Sequence, residues 1–280
     1  MFMGILFGAS IWYVARRLYG NVAGYIALTL YTFSPTAVIR ASTVQPDVIA
    51  DWGAFGLVFT AIGLAHTLYA PREVVLWNWK RILLLGLSIG LATAAQFSVV
   101  LLIPVALIFM WYLAPERRGA ATVIMLAGCA IGFLILFGCY GFRFSALGDG
   151  IRASHLAAFY PKAYVSLIVY SRVAYNLLSQ PTSLVLLLIS LLTYGVWKRA
   201  RFFGNTAPLL VFAFVIVVGL GMIDRSGRGS YILALPFAYV FIAGVMTDLL
   251  ESKYKPIALG VVLGTLAGHV LLSVNGLLRM

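Results

Sequence analysis

ILLLGLSIGLATAAQFSVVLLIPVALIFMWYL, residues 82–113 of the chain, contains no charged side chain. As one helix this stretch would be roughly 48 Å long, whereas the hydrocarbon core of a bilayer is about 30 Å thick. We therefore divide it near Gln96 into two short helices. The apolar runs lack the alternating pattern of transmembrane strands, so helices that satisfy their own backbone groups are expected in lipid.

Composition extends this interpretation to the whole chain. Hydrophobic residues make up 62% of it and charged residues 10%, with a mean hydropathy of +1.01. Because a soluble domain carries charges at about a quarter of its positions, lipid is indicated as the solvent. We predict an all-α fold, a polytopic transmembrane helical bundle in one domain over residues 1–280. Its predicted spans, about ten in number, are residues 1–15, 22–39, 48–70, 82–95, 97–113, 120–140, 181–197, 206–223, 231–247 and 257–275.

The formal net charge of +12 is interpreted as membrane topology, and nucleic-acid binding is not expected. Most Lys and Arg residues lie at the ends of predicted spans, beside membrane lipids. With the division near Gln96, 12 of the 20 fall on one side, which the positive-inside rule assigns to the cytoplasm. Without the division the tally is again 12 to 8, so helix length alone supports it.

The longest stretch outside the predicted spans covers residues 142–180. It mixes basic and aromatic side chains, among them Arg143, Arg152, Phe159 and Tyr160. This composition is typical of helices that lie in the membrane interface. We predict that this outer loop forms interfacial helices.

Ionisable side chains are rare inside the predicted spans. Asp51 lies near a helix start, and His66 and His269 lie near helix ends. Because intramembrane charges mark ion pathways, their scarcity disfavours an ion-driven pump. The chemistry is therefore expected at the membrane surface.

Asp47 is the first candidate for that chemistry. Pro46 precedes it and an apolar run follows, so its carboxylate is expected at a helix start, where an acid favours the positive end of the dipole. One interpretation is a structural cap of the third span. The other is a catalytic carboxylate that binds a divalent metal or positions a polar acceptor.

The loop DRSGRGSY, residues 224–231, is the second candidate. Arg225 and Arg228 stand among glycines and serines at a helix start, where guanidinium and backbone N–H groups can bind phosphate oxygens. A short loop whose arginines meet lipid headgroups is the alternative. Arg143 and Arg152 add positive charge to the same predicted face, and an anionic ligand there would explain the excess.

Three further residues on the outer side are accessory candidates: Arg40, Asp51 and His155. His155 is isolated in its loop and also fits an ordinary surface position. The motif HExxH and the phosphate loop do not occur in the sequence, so zinc and nucleotide hydrolysis lack support.

The order of these features resembles the multi-span (GT-C type) glycosyltransferases that use lipid-linked sugars, the superfamily of the protein O-mannosyltransferases and aminoarabinose transferases. The motifs that carry the resemblance are RRLYG at 16–20, SP after a small-residue helix at 34–35, PD before an aromatic-rich helix at 46–47, the hairpin of 90–104, and GRGSY at 227–231 with Pro236 downstream. These motifs are short, but in order and character they cover most of the chain.

The resemblance implies a transferase that takes a sugar from a polyprenyl-phosphate donor on the non-cytoplasmic face of the cell (inner) membrane. The sugar would pass to a lipid, glycan or protein acceptor. Asp47 matches the family's second-loop acid, which lies by the active site and in some members contacts a divalent metal. Arg228 and Tyr231 match positions near the donor phosphate, and the other outer arginines are expected to assist there.

Two departures from the family's pattern matter. Gln96 stands where the family's hairpin usually carries a lysine, and the first outer loop, with its principal catalytic acid, has no counterpart. We therefore expect this chain to be the C-terminal part of a longer transferase. Whether this chain is active by itself stays open. A transporter or flippase of a lipid-linked glycan and a non-catalytic membrane subunit are the alternatives.

Overall fold

The computed structural model describes residues 2–42, 46–69, 79–154, 181–221 and 229–278, and these ranges contain helices and no strand. Their α-helices are α1 (Phe2–Tyr19), α2 (Asn21–Thr32), α3 (Pro35–Ser42), α4 (Asp47–Thr67), α5 (Trp79–Ala95), α6 (Leu102–Leu113), α7 (Arg118–Cys139), α8 (Phe144–Ala153), α9 (Pro181–Val196), α10 (Phe203–Gly221), α11 (Gly229–Leu250) and α12 (Lys255–Leu278). Short 3-10 helices cover Phe97–Leu101, Pro115–Arg117 and Lys198–Ala200. The predicted all-α fold is confirmed.

Within those ranges, the segments long and apolar enough to cross a membrane are Asp47–Thr67, Pro115–Cys139, Leu233–Leu250 and Lys255–Leu278. Helices α2 and α3 qualify together as one further span, bent by 65°. Shorter apolar helices are Phe97–Leu113, Thr182–Val196 and Phe203–Gly219. The chain is a multi-pass membrane protein by length and composition of its helices, while the predicted number of about ten spans is not confirmed.

The chain forms two compact units. The first contains residues 1–45 and 160–280, and the second contains residues 46–159. The assignment of residues 1–280 to a single transmembrane domain stays a prediction.

The break between α2 and α3 corrects the predicted continuous span over residues 22–39. Pro35 has no N–H group, and in a continuous helix its ring would clash with the carbonyl of Tyr31. The backbone N–H of Ser34 donates to Tyr31 O (3.1 Å). The Ser34 Oγ accepts a hydrogen bond from Ala37 N (3.4 Å), which caps α3.

In the second unit, α4, α5 and α7 approach one another at small residues. A Cβ atom on Gly53 of α4 would lie 2.5 Å from Cβ of Ala92 on α5. A Cβ atom on Gly132 of α7 would lie 2.7 Å from Cγ2 of Ile89, also on α5. Small residues at such interfaces let helix backbones pack closely in a membrane. Because the start of α4 meets the end of α5, these two helices run antiparallel.

The second unit reverses direction at Gln96, as the helix length predicts. Gln96 is extended, with φ −150° and ψ 107°. Nη1 of Arg81, near the start of α5, donates to Gly63 O (3.3 Å), and Nη1 of Arg117, just before α7, donates to Leu68 O. Both arginines therefore lie at the carbonyl end of α4, where a cation favours the helix dipole. A continuous helix would have placed them at opposite ends, so the division is confirmed.

Helix α11 lies in the core of the first unit, and Phe237, Tyr239 and Phe241 on it are almost completely buried. At one end of this unit, polar contacts join α1 to α10 and α10 to α11. The Tyr19 hydroxyl at the end of α1 donates to Gly204 O at the start of α10. Asn205, also on α10, donates from Nδ2 to Oδ2 of Asp248 on α11 (2.9 Å).

Candidate functional site

Asp47 is the first residue of α4, and its side chain is half-buried. The carbonyl of Pro46 accepts from Ile49 N (2.9 Å) and Ala50 N (3.1 Å), so the helix begins where the sequence predicts. Asp51 follows one turn later on the same side of the helix and is buried, with 7% of its surface exposed. The two carboxylates thus occupy the positive end of the α4 dipole.

The start of α4 shares one end of the second unit with the turn at Gln96. Gly53 packs against Ala92, four residues before that turn. On the other side of the turn, the Phe97 ring lies 6.0 Å from the Tyr140 ring, measured between centroids, just past the end of α7. We call this end the Asp47 end and the opposite one, with Arg81 and Arg117, the Arg81 end.

Helix α8 follows at the Asp47 end and carries two of the predicted phosphate-binding residues. Arg143 precedes its first turn and is exposed. Arg152 lies in its last turn, with Nη1 3.8 Å from Oδ1 of Asp149, and the two side chains are 87% and 77% exposed. An ion pair this exposed adds little stability, so Arg152 remains accessible to solutes. The exposed Arg143 is accessible as well. Leu147 on the opposite side of α8 is buried.

This amphipathic α8 lies within the predicted interfacial loop of residues 142–180. Phe142 and Phe144 at its start are 67% and 72% exposed. Exposed aromatic rings beside a polar helix face suit the boundary between lipid and water. Residues 155–180 of that loop lie outside the described residues.

In the first unit, Arg40 lies half-buried in the last turn of α3. Helix α3 crosses the start of α1, because a Cβ atom on Gly4 would lie 2.7 Å from Cβ of Ala41. The Tyr31 hydroxyl at the end of α2 donates to Gly4 O (3.0 Å). Arg40 is therefore held on a short helix that is packed at both of its ends.

Of the remaining predicted site residues, only Tyr231 lies among the described residues. Tyr231 lies in the first turn of α11. Arg225, Arg228 and His155 lie outside the described residues. The expected convergence of Asp47 with the outer arginines on one site stays a prediction.

A sequence model of the dolichyl-phosphate-mannose-protein mannosyltransferase family matches residues 1–140. The chain belongs to this family. No curated protein and no solved structure matches the chain. The matched half contains Arg40, Asp47 and Asp51, whereas Arg143 and the later candidates follow it.

Membership in the mannosyltransferase family makes the chain a membrane glycosyltransferase-like protein, and the family uses a polyprenyl-phosphate sugar donor. The geometry at the Asp47 end suits such chemistry. A half-buried carboxylate at a helix start can accept a proton from an acceptor hydroxyl. Exposed guanidinium groups at the neighbouring helix α8 can bind phosphate oxygens.

A divalent metal at Asp47 stays a prediction from the resemblance. Among the described residues, no group of three or more His, Cys, Asp and Glu side chains could hold a metal ion. Asp47 and Asp51 supply two carboxylates, fewer ligands than a divalent cation ordinarily takes from a protein and its waters. These residues do not fit a metal site by themselves, so no step is derived through a metal.

His269 is the polar residue that sequence reasoning undervalued. The sequence places it near a helix end, yet its side chain is completely buried between helices of the first unit. The available signal was the helical position, because α12 begins at Lys255 and continues past His269 to Leu278. An ionisable residue well inside an apolar helix marks a functional position more often than a terminal one does.

Proposed function

We propose that this protein transfers a sugar from a polyprenyl-phosphate donor to a lipid, glycan or protein acceptor on the non-cytoplasmic face of the membrane. In this proposal Asp47 is the catalytic carboxylate, with Asp51 beside it. Arg143 and Arg152 bind the donor phosphate. Membership in the mannosyltransferase family supports the donor class.

The observation that carries the proposed face is the distribution of charge along the second unit. Four exposed basic residues lie at the Arg81 end: Lys80, Arg81, Arg117 and Arg118. Among the described residues, the Asp47 end has the carboxylates of Asp47, Asp51 and Asp149 and two exposed basic residues, Arg143 and Arg152. By the positive-inside rule, the Arg81 end belongs in the cytoplasm, and the Asp47 end then belongs on the other face.

The proposed reaction is a direct displacement at the anomeric carbon. The acceptor oxygen forms a bond to this carbon while the bond from the carbon to the phosphate oxygen breaks, and its electron pair leaves with the polyprenyl phosphate. Asp47 takes the proton of the acceptor hydroxyl as a general base. Guanidinium groups stabilise the charge that develops on the departing phosphate.

Replacing Asp47 with Asn tests the proposed base. The amide keeps the size of the side chain but cannot accept the proton, so sugar transfer should fall by about 10²- to 10⁴-fold. Binding of the donor should stay within a few-fold, because the phosphate contacts are unchanged. The measurement follows a labelled sugar from polyprenyl-phosphate donor to acceptor in membranes that contain the protein.

Glu116→Gln is the matched control, since Glu116 is an exposed carboxylate at the Arg81 end of the same unit. Its transfer rate should stay close to that of the unchanged protein. Equal transfer by the Asp47→Asn variant and the unchanged protein would remove Asp47 from the reaction. Passage of the intact lipid-linked sugar across the membrane, without transfer, would favour the transporter interpretation instead.

A further inference from the structure

The break between α2 and α3 leaves one buried carbonyl without its usual helical donor. In a continuous helix Leu30 O would accept from the N–H of Ser34, but that N–H donates to Tyr31 O. Leu30 is completely buried. A buried carbonyl without a hydrogen bond is costly, and more so in a segment that lies in lipid.

His269 of α12 supplies the missing donor. Its Nε2 lies 3.3 Å from Leu30 O, and its Nδ1 lies 2.6 Å from Oγ1 of Thr182 at the start of α9. A carbonyl can only accept, so Nε2 carries the proton, and the neutral ring accepts the Thr182 hydroxyl at Nδ1. One imidazole therefore joins α2, α9 and α12 at the helix break.

Other polar side chains gather around the same break. Ser34, which caps α3, is completely buried. Ser34 and Ser183 both lie beside the Tyr239 hydroxyl of α11. The break is thus surrounded by polar groups from α9, α11 and α12, although all three helices are predominantly apolar.

The short helix α3 depends on these contacts for its direction. It has 8 residues, and so short a helix is not stable by itself. It is held at its start by the break and at its end by the close contact between Ala41 and Gly4. Arg40, one residue before that contact, moves with it.

We propose that His269 is a positioning residue for Arg40, an accessory candidate for binding the donor phosphate. Its bond to Leu30 O fixes the end of α2, sets the direction of α3, and so places Arg40 for the donor phosphate. The role of Arg40 rests on the donor class of the proposed function and on its place among the accessory candidates, whereas the contact of His269 with the end of α2 rests on geometry alone. The experiment measures the two separately.

The position of α3 can be read by disulfide formation between Gly4→Cys and Ala41→Cys, with Cys129 and Cys139 replaced by Ala. A shift of about 1 Å brings the two Cβ atoms to the usual disulfide separation of about 3.8 Å. His269→Ala should slow this cross-link about tenfold, because the buried carbonyl loses its donor. His269→Gln keeps an N–H that can reach Leu30 O, and should restore the rate to within a few-fold.

Two further variants complete the cross-linking test. Thr182→Val keeps the imidazole but removes the hydroxyl that orients it, so it should give a smaller loss and serves if His269→Ala does not fold. Thr265→Ala is the matched control on α12, since the Thr265 hydroxyl donates to Val261 O and Val262 O of its own helix. It should leave the cross-link unchanged. An unchanged cross-link in both the His269→Ala and Thr182→Val variants would overturn the proposal.

Binding of a polyprenyl-phosphate sugar is then measured without the cysteines. Arg40→Gln and His269→Ala should each weaken binding about tenfold, the two together should weaken it no further, and His269→Gln should restore it. A slower cross-link with unchanged donor affinity in His269→Ala, while Arg40→Gln weakens binding, would overturn the positioning role. If Arg40→Gln also binds normally, the role of Arg40 in the donor site fails, and the cross-link separately reports whether His269 holds α3.

Discussion

Tyr19 illustrates how single residues join the helices of the first unit. It ends α1, beyond the predicted span of residues 1–15, and its hydroxyl donates to Gly204 O. Burial, and after it the nearby Asp248 carboxylate, raises the pKa of the Tyr19 hydroxyl well above its ordinary value. The folded protein therefore keeps this hydroxyl neutral and able to donate.

Tyr19→Phe should lower the free energy of unfolding by about 0.5–1.5 kcal/mol at neutral pH, because Gly204 O loses its donor. Below the ordinary tyrosine pKa of about 10, neither state is ionised and this residue adds no pH dependence. Above that pH, the Tyr19 hydroxyl ionises in the unfolded state before it ionises in the folded state. The contribution of Tyr19 to the free energy of unfolding is therefore lost as the pH rises. The Phe variant should lack that alkaline loss.

Chemical unfolding in detergent at neutral and alkaline pH measures both effects. Tyr13→Phe is the matched control on α1, because the Tyr13 side chain is 61% exposed. Tyr13→Phe should lower the free energy of unfolding at neutral pH by less than Tyr19→Phe does. Equal stability of the Tyr19→Phe variant and the unchanged protein at every pH would show that the bond to Gly204 contributes nothing.

The sequence predicted the place of some residues and not of others. Asp47 is found at a helix start because Pro46 and the apolar run after it are local signals. The partners of His269 were not predictable, because Thr182 and Leu30 are far away in sequence. Local patterns report where a helix begins, whereas partners across helices are set by packing.

At the scale of elements, close approach at glycines sets the spacing between α5 and α7. A Cβ atom on Gly132 would lie 2.7 Å from Ile89 Cγ2 and 3.1 Å from the backbone oxygen of Gly86. The backbone oxygen cannot move aside as a flexible side chain can. Any larger residue at this position therefore forces the two helices apart.

Gly132→Ala should destabilise the protein by about 1–3 kcal/mol, as overpacking of a close contact does. Gly119→Ala is the matched control at the start of α7, where an added Cβ atom meets no atom within 4 Å. Since Ala favours a helix over Gly, the control should be neutral or stabilising by up to about 1 kcal/mol. Thermal unfolding in detergent compares them, and equal melting temperatures would contradict the packing account.

The two broken helices show which element boundaries the sequence reveals. The turn at Gln96 was predicted because the uncharged run of residues 82–113 is too long for one span. The predicted span of residues 22–39 ignored the break at Ser34 because it has the length of a single span, although the SP motif at 34–35 was interpreted as following a helix. The length of this segment does not reveal the break, and Pro35 is the local feature that causes it.

At the scale of the whole molecule, composition predicted an all-α membrane protein, and the order of its motifs predicted the mannosyltransferase family. Both predictions are confirmed. The predicted number of about ten spans is not confirmed, because several apolar runs among the described residues form helices shorter than a full span, such as Thr182–Val196. Apolar character shows that a segment prefers lipid, but it does not show that the segment crosses the bilayer.

The account depends most on the placement of the two ends of the second unit on opposite faces of the membrane. Ser145 at the Asp47 end and Glu116 at the Arg81 end are both exposed. Each is replaced by Cys in a protein whose Cys129 and Cys139 are changed to Ala, because both native thiols are free. A membrane-impermeant thiol reagent is then added to the non-cytoplasmic side. The account predicts labelling of the Ser145→Cys protein and none of the Glu116→Cys protein, whereas labelling of Glu116→Cys, alone or together with Ser145→Cys, would contradict it.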